Sequence, residues 1–288
     1  MSEGGIEDDW TPSPIELERR AFARRASVKS ILIAAASVVV FAGVIAVILA
    51  SSTGWVKVRE AFFDPQVFIH SLPAVGKGLL QNLKILAFSV VGVAFLGTLI
   101  AVIRTSRSPV LFPLRFLAAV YVDIVRGMPA ILLLYLIGLG IPGLRLGGRI
   151  DPVLLGTIAI TICYSAYVAE VLRSGINSIH PSQRAGARAL GLSHMQTMRI
   201  VILPQAIRNV IPALMNDFVS MQKDVGLVSI IGVVDAVRAA QIEVARIWNF
   251  TPYVAAGVVF ILFALPFVRL ADWYTKKVRT REQRGGTV

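Results

Sequence analysis

Residues 178–204 read SIHPSQRAGARALGLSHMQTMRIVILP, and this stretch decides which fold the sequence predicts. Pro181 suits the first position of a helix, where its missing N–H would have no partner in any case. Gly191 suits the position just after a helix, where the chain turns through the left-handed conformation. Ser193 and Gln196 have the spacing of a capping box, which starts a second helix. The stretch is therefore predicted to hold one short, capped helix between two longer ones.

The predicted short helix combines small side chains with two arginines. Small side chains allow another backbone to come close, and Arg184 and Arg188 lie one helical turn apart. We therefore predict a surface element that docks onto a partner protein; a plain connecting loop is the alternative. Pro204 is expected to kink the helix that follows. The residues assigned to the docking element are Ser182, Arg184, Ala185, Gly186, Ala187, Arg188, Ala189, Leu190 and Gly191.

The whole chain is far more apolar than a soluble protein. Of its 288 residues, 56% are hydrophobic and 16% are charged, whereas soluble domains carry about 25% charged residues. This composition excludes an ordinary soluble enzyme, a disordered protein and a disulfide-rich secreted scaffold. A helix that crosses a membrane needs about 20 mostly apolar residues. Six such segments are present, at 30–53, 80–103, 112–138, 153–173, 200–222 and 252–271.

These six segments predict an all-α, polytopic membrane protein with six transmembrane helices. A shorter apolar piece at 225–234 cannot span, so we expect it to be re-entrant. Such a piece persists at membrane depth only when it is buried in protein or lines a cavity. The segment 51–79, between the first two spans, is amphipathic and is expected to lie along the outer face of the membrane.

The charge distribution predicts the orientation of the spans. The 29 lysines and arginines exceed the 17 aspartates and glutamates, which gives a net charge of +12. Basic clusters precede the first span, separate the second from the third and the fourth from the fifth, and follow the sixth. Because positive charge is enriched in cytoplasmic loops, both termini are predicted to be cytoplasmic. The charge is then topological, with contact to membrane lipid, and nucleic acid is not expected as a partner.

Polar side chains inside the spans are costly and mark candidate functional positions. Asp123 and Arg126 are three residues apart, so they share a helix face and are expected to pair; alternatively, Arg126 extends to the membrane interface. Lys223 and Asp224 are expected to orient the re-entrant piece. The residues assigned to a candidate polar pathway through the spans are Asp123, Arg126, Asn216, Asp217 and Gln222.

Motifs for catalysis or metal binding are absent from the sequence. Cys163 is the one cysteine, so it forms no internal disulfide and no cysteine cluster. The histidines lack the His-Glu-x-x-His spacing of zinc enzymes, and no Gly-x-x-x-x-Gly-Lys-Ser/Thr phosphate loop is present. We therefore expect this chain to have no catalytic residue, no metal site and no bound cofactor.

The stretch 178–204 resembles the EAA signature of permease subunits in bacterial ABC importers. That signature reads Glu-Ala-Ala, three residues, Gly, nine residues, then Ile-x-Leu-Pro. Residues 185–187, Ala-Gly-Ala, take its first three positions, Gly191 takes the glycine position, and residues 201–204, Val-Ile-Leu-Pro, complete it. The spacing is fully kept, but Ala185 stands where the signature has glutamate.

Three further stretches are similar to the branch of this family that imports polar amino acids. Residues 189–192 read Ala-Leu-Gly-Leu, as in that branch. Residues 125–129, Val-Arg-Gly-Met-Pro, are similar to its Arg-Gly-Thr-Pro motif. Residues 223–232 are similar to its Lys-Asp-Thr-Ser-Leu segment, with Val225 and Gly226 in place of Thr-Ser.

The resemblance implies a non-catalytic permease of a type I importer in the bacterial cytoplasmic (inner) membrane. It implies a second permease subunit, two cytoplasmic ATPase subunits that bind ATP and Mg, and an external binding protein that delivers the solute. Residues 182–191 would be the coupling helix that sits in a groove of the ATPase. The implied organisation is a cytoplasmic tail (1–29), an extra helix with its external segment (30–77), the importer domain (78–275) and a basic cytoplasmic tail (276–288).

Two other classes of membrane protein are weighed against this one. A stand-alone secondary transporter or channel would need a proton or sodium relay in the spans and no docking loop. An intramembrane enzyme would need a cluster of His, Asp and Glu at membrane depth, and the sequence shows none. Uptake that depends on ATP would favour the importer, and uptake driven by a proton gradient alone would favour the secondary transporter.

Overall fold

A computed structural model describes residues 13–52, 54–106, 108–145 and 150–285, with the side chains of 21, 23–26 and 278–285 outside the description. The chain divides into two compact units, Met1–Glu60 and Ala61–Val288. Across the described ranges the chain is helical, with turns between the helices and no strand. The predicted all-α membrane architecture is confirmed.

The first unit holds one long helix, α1 (Pro14–Ser51). Ser13 caps it, because its hydroxyl accepts a hydrogen bond of 3.3 Å from the Glu16 N–H. Ser27–Ser51 is long and apolar enough to cross a membrane, as predicted for the first span. Residues 14–29 of the predicted N-terminal tail are therefore helical and continuous with that span, while residues 1–12 lie outside the described part of the chain.

A short helix, α2 (Trp55–Phe62), crosses from the first unit into the second. Between the later helices lie two 3-10 segments, Pro109–Leu111 and Val225–Ile231, and one π-helical segment, Thr197–Ile202. The helices that follow α2 are α3 (Pro65–Thr105), α4 (Phe112–Gly127), α5 (Ala130–Gly138), α6 (Gly140–Gly143), α7 (Pro152–Ser178), α8 (Pro181–Ala189), α9 (His194–Gln196), α10 (Leu203–Asp224), α11 (Ala236–Ile247) and α12 (Thr251–Gly285).

Helix α7 lies at the centre of the packing, against α3, α4, α5 and α10. The core between these helices includes Ile85, Val122, Leu134 and Ile160, all of which are buried. Small residues let α3 and α7 come close, as is common for helices in membranes. A Cβ atom added at Gly97 would lie 2.9 Å from the Val168 side chain, so the close approach requires glycine there.

Each predicted span has a counterpart in the described residues. The third span is the bent pair Pro109–Gly127 and Ala130–Gly143. The other candidate spans are Ser27–Ser51, Trp55–Thr105, Pro152–Ser178, His194–Ile231 and Thr251–Lys277. Helix α12 continues to Gly285, so the predicted tail 276–288 begins as helix, and its last three residues are not described.

The prediction of one continuous third span at 112–138 is wrong. The direction of the chain bends by 109° between the two helices of this span. Pro129 lies at the break, where it lacks an N–H for helical pairing and disfavours a helical conformation for the residue before it. Met128 accordingly has extended backbone angles, φ −102° and ψ 135°.

Most of the segment 51–79, which was expected to lie along the outer face of the membrane, belongs to a helix that continues into the second span. Helix α3 begins at Pro65, where the Asp64 carboxylate accepts hydrogen bonds from the Gln66 and Val67 N–H groups at 2.9 and 3.2 Å. The helix then continues through the second span with Pro73 inside it. The boundary expected between residues 77 and 78 therefore falls within a continuous helix, and only α2 remains as a separate short element.

The piece expected to be re-entrant is the 3-10 segment Val225–Ile231. Val225, Val228 and Ile231 are buried against the core. Gly232 ends the segment with φ +91°, a left-handed conformation that favours glycine. A short non-α segment buried in protein meets the condition for backbone of this kind at membrane depth.

Candidate functional site

The short helix predicted within 178–204 is present as α8, Pro181–Ala189. At its start the Ser182 N–H donates a hydrogen bond of 3.3 Å to Nδ1 of His180. At its end Gly191 has φ +79°, and the Leu192 N–H donates a hydrogen bond of 3.2 Å back to the Ala187 carbonyl oxygen. This closure is the Schellman pattern, which satisfies carbonyl groups at a helix end. The short helix is thus fixed at both ends by its own residues.

The chain restarts after Gly191 through a complete capping box. The Ser193 hydroxyl accepts from the Gln196 N–H at 3.3 Å, and the Gln196 side chain accepts from the Ser193 N–H at 2.8 Å. A π-helical segment, Thr197–Ile202, then precedes α10. Pro204, where a kink was expected, stands in the first turn of α10, directly after this π-helical segment.

The exposed surface of α8 combines small residues with polar and basic ones, and a large apolar side chain, Leu190, follows it. Leu190 is 83% exposed and Met195, in the next turn, is 73% exposed. Ala185 and Gly186 are also exposed. Ala187 is buried at 5% exposure, so its placement on the docking surface is wrong: it lies on the opposite face of the helix, against the protein. Ser182, Ala189 and Gly191 are exposed as expected.

The two arginines of α8 differ in their surroundings. The Arg184 guanidinium donates a hydrogen bond of 3.0 Å from Nη2 to the Ile176 carbonyl oxygen, in the last turns of α7. Arg184 is half-buried, and this hydrogen bond ties α8 to α7. Arg188 is exposed. Beneath the loop, Ile179, Ile202 and Ala206 form a small apolar cluster that joins it to α10.

Asp217 is the predicted pathway residue with the most distinctive surroundings. It lines a cavity of about 290 Å³ between α3, α7 and α10, together with Thr98 and Tyr164. Its Oδ2 atom is buried without a hydrogen-bond partner. Arg126 is near enough to act electrostatically on Asp217, and the Arg126 guanidinium lies 5.9 Å from the centre of the Tyr167 ring. These groups bring an acid, a base and two tyrosines to one region.

The other pathway residues are placed less uniformly. Among the described residues no ion pair joins Asp123 to Arg126, so their expected pairing is absent. Both of these side chains are exposed, as is Asn216. Gln222 is 2% exposed, and both its amide atoms lack a hydrogen-bond partner. A buried amide of this kind is uncommon, because the free energy lost on leaving water is not recovered.

Several polar groups that sequence reasoning missed fix the position of α7. The Tyr164 hydroxyl donates a hydrogen bond of 2.8 Å to Asp224, directly before the buried 3-10 segment. Glu170 accepts hydrogen bonds from Arg173 and from Arg104 of α3. The spacing of Glu170 and Arg173, three residues apart at the end of an apolar run, was a signal for a helical ion pair.

A further missed residue is Asn82 in α3. Its Nδ2 donates a hydrogen bond of 2.9 Å to Asp235. Its Oδ1 accepts a hydrogen bond of 3.0 Å from the Ala236 N–H at the start of α11. Asn82 is 3% exposed and Asp235 is fully buried. A polar residue inside an otherwise apolar span was the available signal, because such residues need partners.

The family described as binding-protein-dependent transport system inner membrane component matches residues 93–280. The chain belongs to this family of permeases. The permease is 30% identical over 220 residues to the arginine transport system permease protein ArtQ of Bacillus subtilis (strain 168), covering 76% of this chain and 99% of that protein. It is 34% identical over 184 residues to the glutamate/aspartate import permease protein GltK of Escherichia coli O157:H7, covering 62% and 81%.

Solved structures agree with this assignment. The crystal structure of an amino acid ABC transporter with histidines shares 33% identity and a TM-score of 0.68, covering 74% of this permease and 98% of that chain. The inward-facing MetNI methionine ABC transporter, at 19% identity and a TM-score of 0.55, shares the fold, with coverage of 75% and 99%. The type I importer fold is therefore confirmed, and a stand-alone secondary transporter or channel is not favoured.

Proposed function

We propose that this permease, with a second permease subunit, forms the membrane pathway of an ATP-driven importer for a polar amino acid or an amino-acid-like solute. Helix α8 carries the proposal: it is short, fixed at both ends, and exposes Leu190 beside Gly186. Such a surface suits insertion into a groove of another protein. The names of the relatives, which include arginine and glutamate/aspartate permeases, support the solute class.

In this proposal a cytoplasmic ATPase subunit receives each α8, and ATP and Mg are bound by that partner. Closure of the ATPase dimer around ATP moves α8, which is tied to α7 through Arg184 and Ile176. Since α7 packs against α3, α4, α5 and α10, its displacement rearranges the bundle. Rigid-body movement of this kind switches a pathway between inward- and outward-facing states. The permease itself performs no chemistry.

The proposed pathway uses the polar groups around the Asp217 cavity. An amino acid presents an ammonium and a carboxylate, and Asp217 and Arg126 offer the complementary charges. Gln222, buried without a partner, supplies an amide that can bond a passing polar group. Asp123 and Asn216 are exposed in this chain, and the proposal keeps both as residues of the pathway.

The positive charge near α8 and at both ends of the chain supports a cytoplasmic location for both termini and for the 178–204 loop. The inner membrane is the expected site of the protein, with membrane lipid around the helices. An external binding protein would then dock on the opposite face and deliver the solute. The chain pairs with a second permease and two ATPase subunits.

Proteoliposomes test this function directly. They would contain the permease with its ATPase and binding protein, and uptake of radiolabelled arginine, glutamine and glutamate would be measured. We expect uptake only with ATP on the ATPase side and with binding protein outside. Uptake driven by a proton gradient without ATP would contradict the proposal and support a secondary transporter.

The pathway assignment has its own variant. Asp217→Asn is expected to lower the uptake rate while ATP hydrolysis continues, because the cavity loses its negative charge. Asp272→Asn is the matched control, since Asp272 is exposed on α12 away from the cavity. Equal uptake by wild type and Asp217→Asn would remove Asp217 from the pathway.

A further inference from the structure

A groove of about 270 Å³ opens beside α8 at Ala185. One wall is α8 itself, and the other is the turn and π-helical segment that follow it. Arg184, Arg188 and His194 line this groove, and none of its lining residues is acidic. The groove therefore concentrates nitrogen donors at the element that the proposed function assigns to the ATPase.

The two arginines keep donor capacity for a partner. A guanidinium has five N–H donors, and Arg184 uses Nη2 for the Ile176 carbonyl oxygen. Arg188 is exposed and forms no ion pair within the described part of the chain. Planar guanidinium groups favour carboxylates, which they can bind through two parallel hydrogen bonds.

Thr197 gives an independent indication that the groove accepts a ligand atom. It lines the groove, is 4% exposed, and its hydroxyl has no hydrogen-bond partner. Buried polar groups almost always have a partner, because an unmade hydrogen bond costs free energy. An oxygen acceptor placed in the groove would satisfy this hydroxyl.

Ala185 explains why the groove is open and basic. The methyl group lines the groove at the position where the EAA signature resembled by this loop has a glutamate. A glutamate there would place a carboxylate beside Arg188 and fill part of the space. With alanine, the two arginines have no neighbouring carboxylate on this helix, so an acid that pairs with them has to come from the partner.

We propose that the groove at Ala185 receives an acidic side chain of the ATPase subunit, held by Arg188 and Arg184 and by the Thr197 hydroxyl. This inference rests on the proposed function and names the chemistry of the contact. The partner's carboxylate would accept charge-assisted hydrogen bonds, which are stronger than neutral ones. Opposite charges across an interface also fix the register in which the two proteins dock.

Restoration of the missing glutamate is the sharpest test. Affinity of the purified ATPase subunit for the permease in nanodiscs would be measured for wild type, Ala185→Glu and Ala185→Gln. We expect Ala185→Glu to weaken binding by about tenfold, because its carboxylate occupies the arginines and repels the partner's acid. Ala185→Gln matches Ala185→Glu in size and helix propensity but adds no charge, so it should weaken binding clearly less than Ala185→Glu does.

Arg188→Gln supplies a second, independent variant, expected to weaken binding and to reduce its dependence on salt. Tighter binding by Ala185→Glu would overturn the inference, since the partner would then present a base. An equal loss of ATPase affinity in Ala185→Glu and Ala185→Gln would overturn the inference as well. So would unchanged affinity in all three variants. Binding of inorganic phosphate or anionic-lipid vesicles in place of the ATPase, lost in Arg188→Gln, would also overturn it.

The same assay separates the two levels of the proposal. If the wild-type permease fails to bind the ATPase, the proposed function itself fails. If wild type binds but the variants do not follow the predicted order, only the acidic contact fails. Thermal unfolding of each variant shows whether the permease remains folded.

Discussion

Arg104 and Glu170 join α3 to α7 through a charge-assisted hydrogen bond, with Nη1 of Arg104 2.6 Å from Oε2 of Glu170. The other oxygen of Glu170 accepts from Arg173, so one carboxylate serves two guanidinium groups. Arg104 is 11% exposed and Glu170 is 18% exposed. Glu170 lies six residues before Ile176, whose carbonyl anchors Arg184, so the cluster is part of the link between α8 and the bundle.

Replacement of Glu170 by glutamine is expected to destabilise the permease. The amide keeps the shape but removes the charge, and two arginines are left close together with little water to screen them. A loss of roughly 3 kcal/mol in the free energy of unfolding is expected, the lower end of the range for a buried ion pair that loses one partner. Thermal unfolding in detergent measures the effect.

The control for this variant is Glu243→Gln. Glu243 pairs with Arg246 of α11 at 2.8 Å, but Arg246 is 61% exposed. An exposed pair contributes less than about 1 kcal/mol. Similar shifts in the two variants would contradict the role given to Glu170.

Gly78→Ala is expected to push α3 and α11 apart. A Cβ at Gly78 would lie 2.5 Å from the backbone nitrogen of Ala236, which cannot move without its helix. Overpacking of this kind costs roughly 1–3 kcal/mol, which outweighs the gain of up to about 1 kcal/mol in helix propensity. A lower unfolding temperature is therefore expected.

Gly76→Ala, two residues away in the same helix, isolates the packing contribution. A Cβ at Gly76 meets no atom within 4 Å, so only the gain in helix propensity remains. Its unfolding temperature should equal or exceed that of wild type. A loss of the same size at both positions would show that the close contact at Gly78 does not limit stability.

Asp235 is expected to make stability depend on pH. Burial raises the pKa of Asp235 above its ordinary value of 3.8, although hydrogen bonds from Asn82 and from backbone N–H groups oppose the shift. A carboxyl whose pKa is higher in the folded state binds protons more tightly there. Its contribution is complete below about pH 4, the pKa range of an unfolded aspartate, and is lost as the pH rises through the folded pKa.

The measurement is a series of unfolding temperatures from pH 4 to pH 7 for wild type and Asp235→Asn. The unfolding temperature of wild type minus that of Asp235→Asn should be largest near pH 4 and should decrease as the pH rises. Because wild type and variant share the other carboxyl groups, including Glu170, the effect of those groups cancels when the two unfolding temperatures are subtracted. A difference that stays constant or grows with pH would contradict a raised pKa for Asp235.

Local features of this fold were predictable because they depend on residues close together in sequence. The helix start at Pro181, the left-handed turn at Gly191 and the Ser193–Gln196 capping box all form within a few residues. The spans were predictable for a similar reason, since about 20 apolar residues suffice for a helix to cross a membrane. The same loop carried the signature of the family.

The sequence contains local signals for the break in the third span and for the early start of α3, but the surrounding hydropathy pattern favoured a different structure at both places. Pro129 and the Asp64 cap are visible in the sequence, but the apolar run around Pro129 favoured one continuous helix. The amphipathic pattern before residue 80 suggested a surface segment, whereas tertiary packing extended the helix from Pro65.

The sequence by itself determined the class of the protein, its spans and the spacing of the docking loop, because hydropathy and helix caps act locally. Tertiary structure alone decided which polar groups meet. Asn82 and Asp235 are separated by 153 residues, and Arg104 and Glu170 by 66. No local pattern encodes such pairs, since they arise only when packing brings two helices together. For the same reason, only the structure showed that Arg184 anchors α8 while Arg188 and Thr197 line an open groove at Ala185.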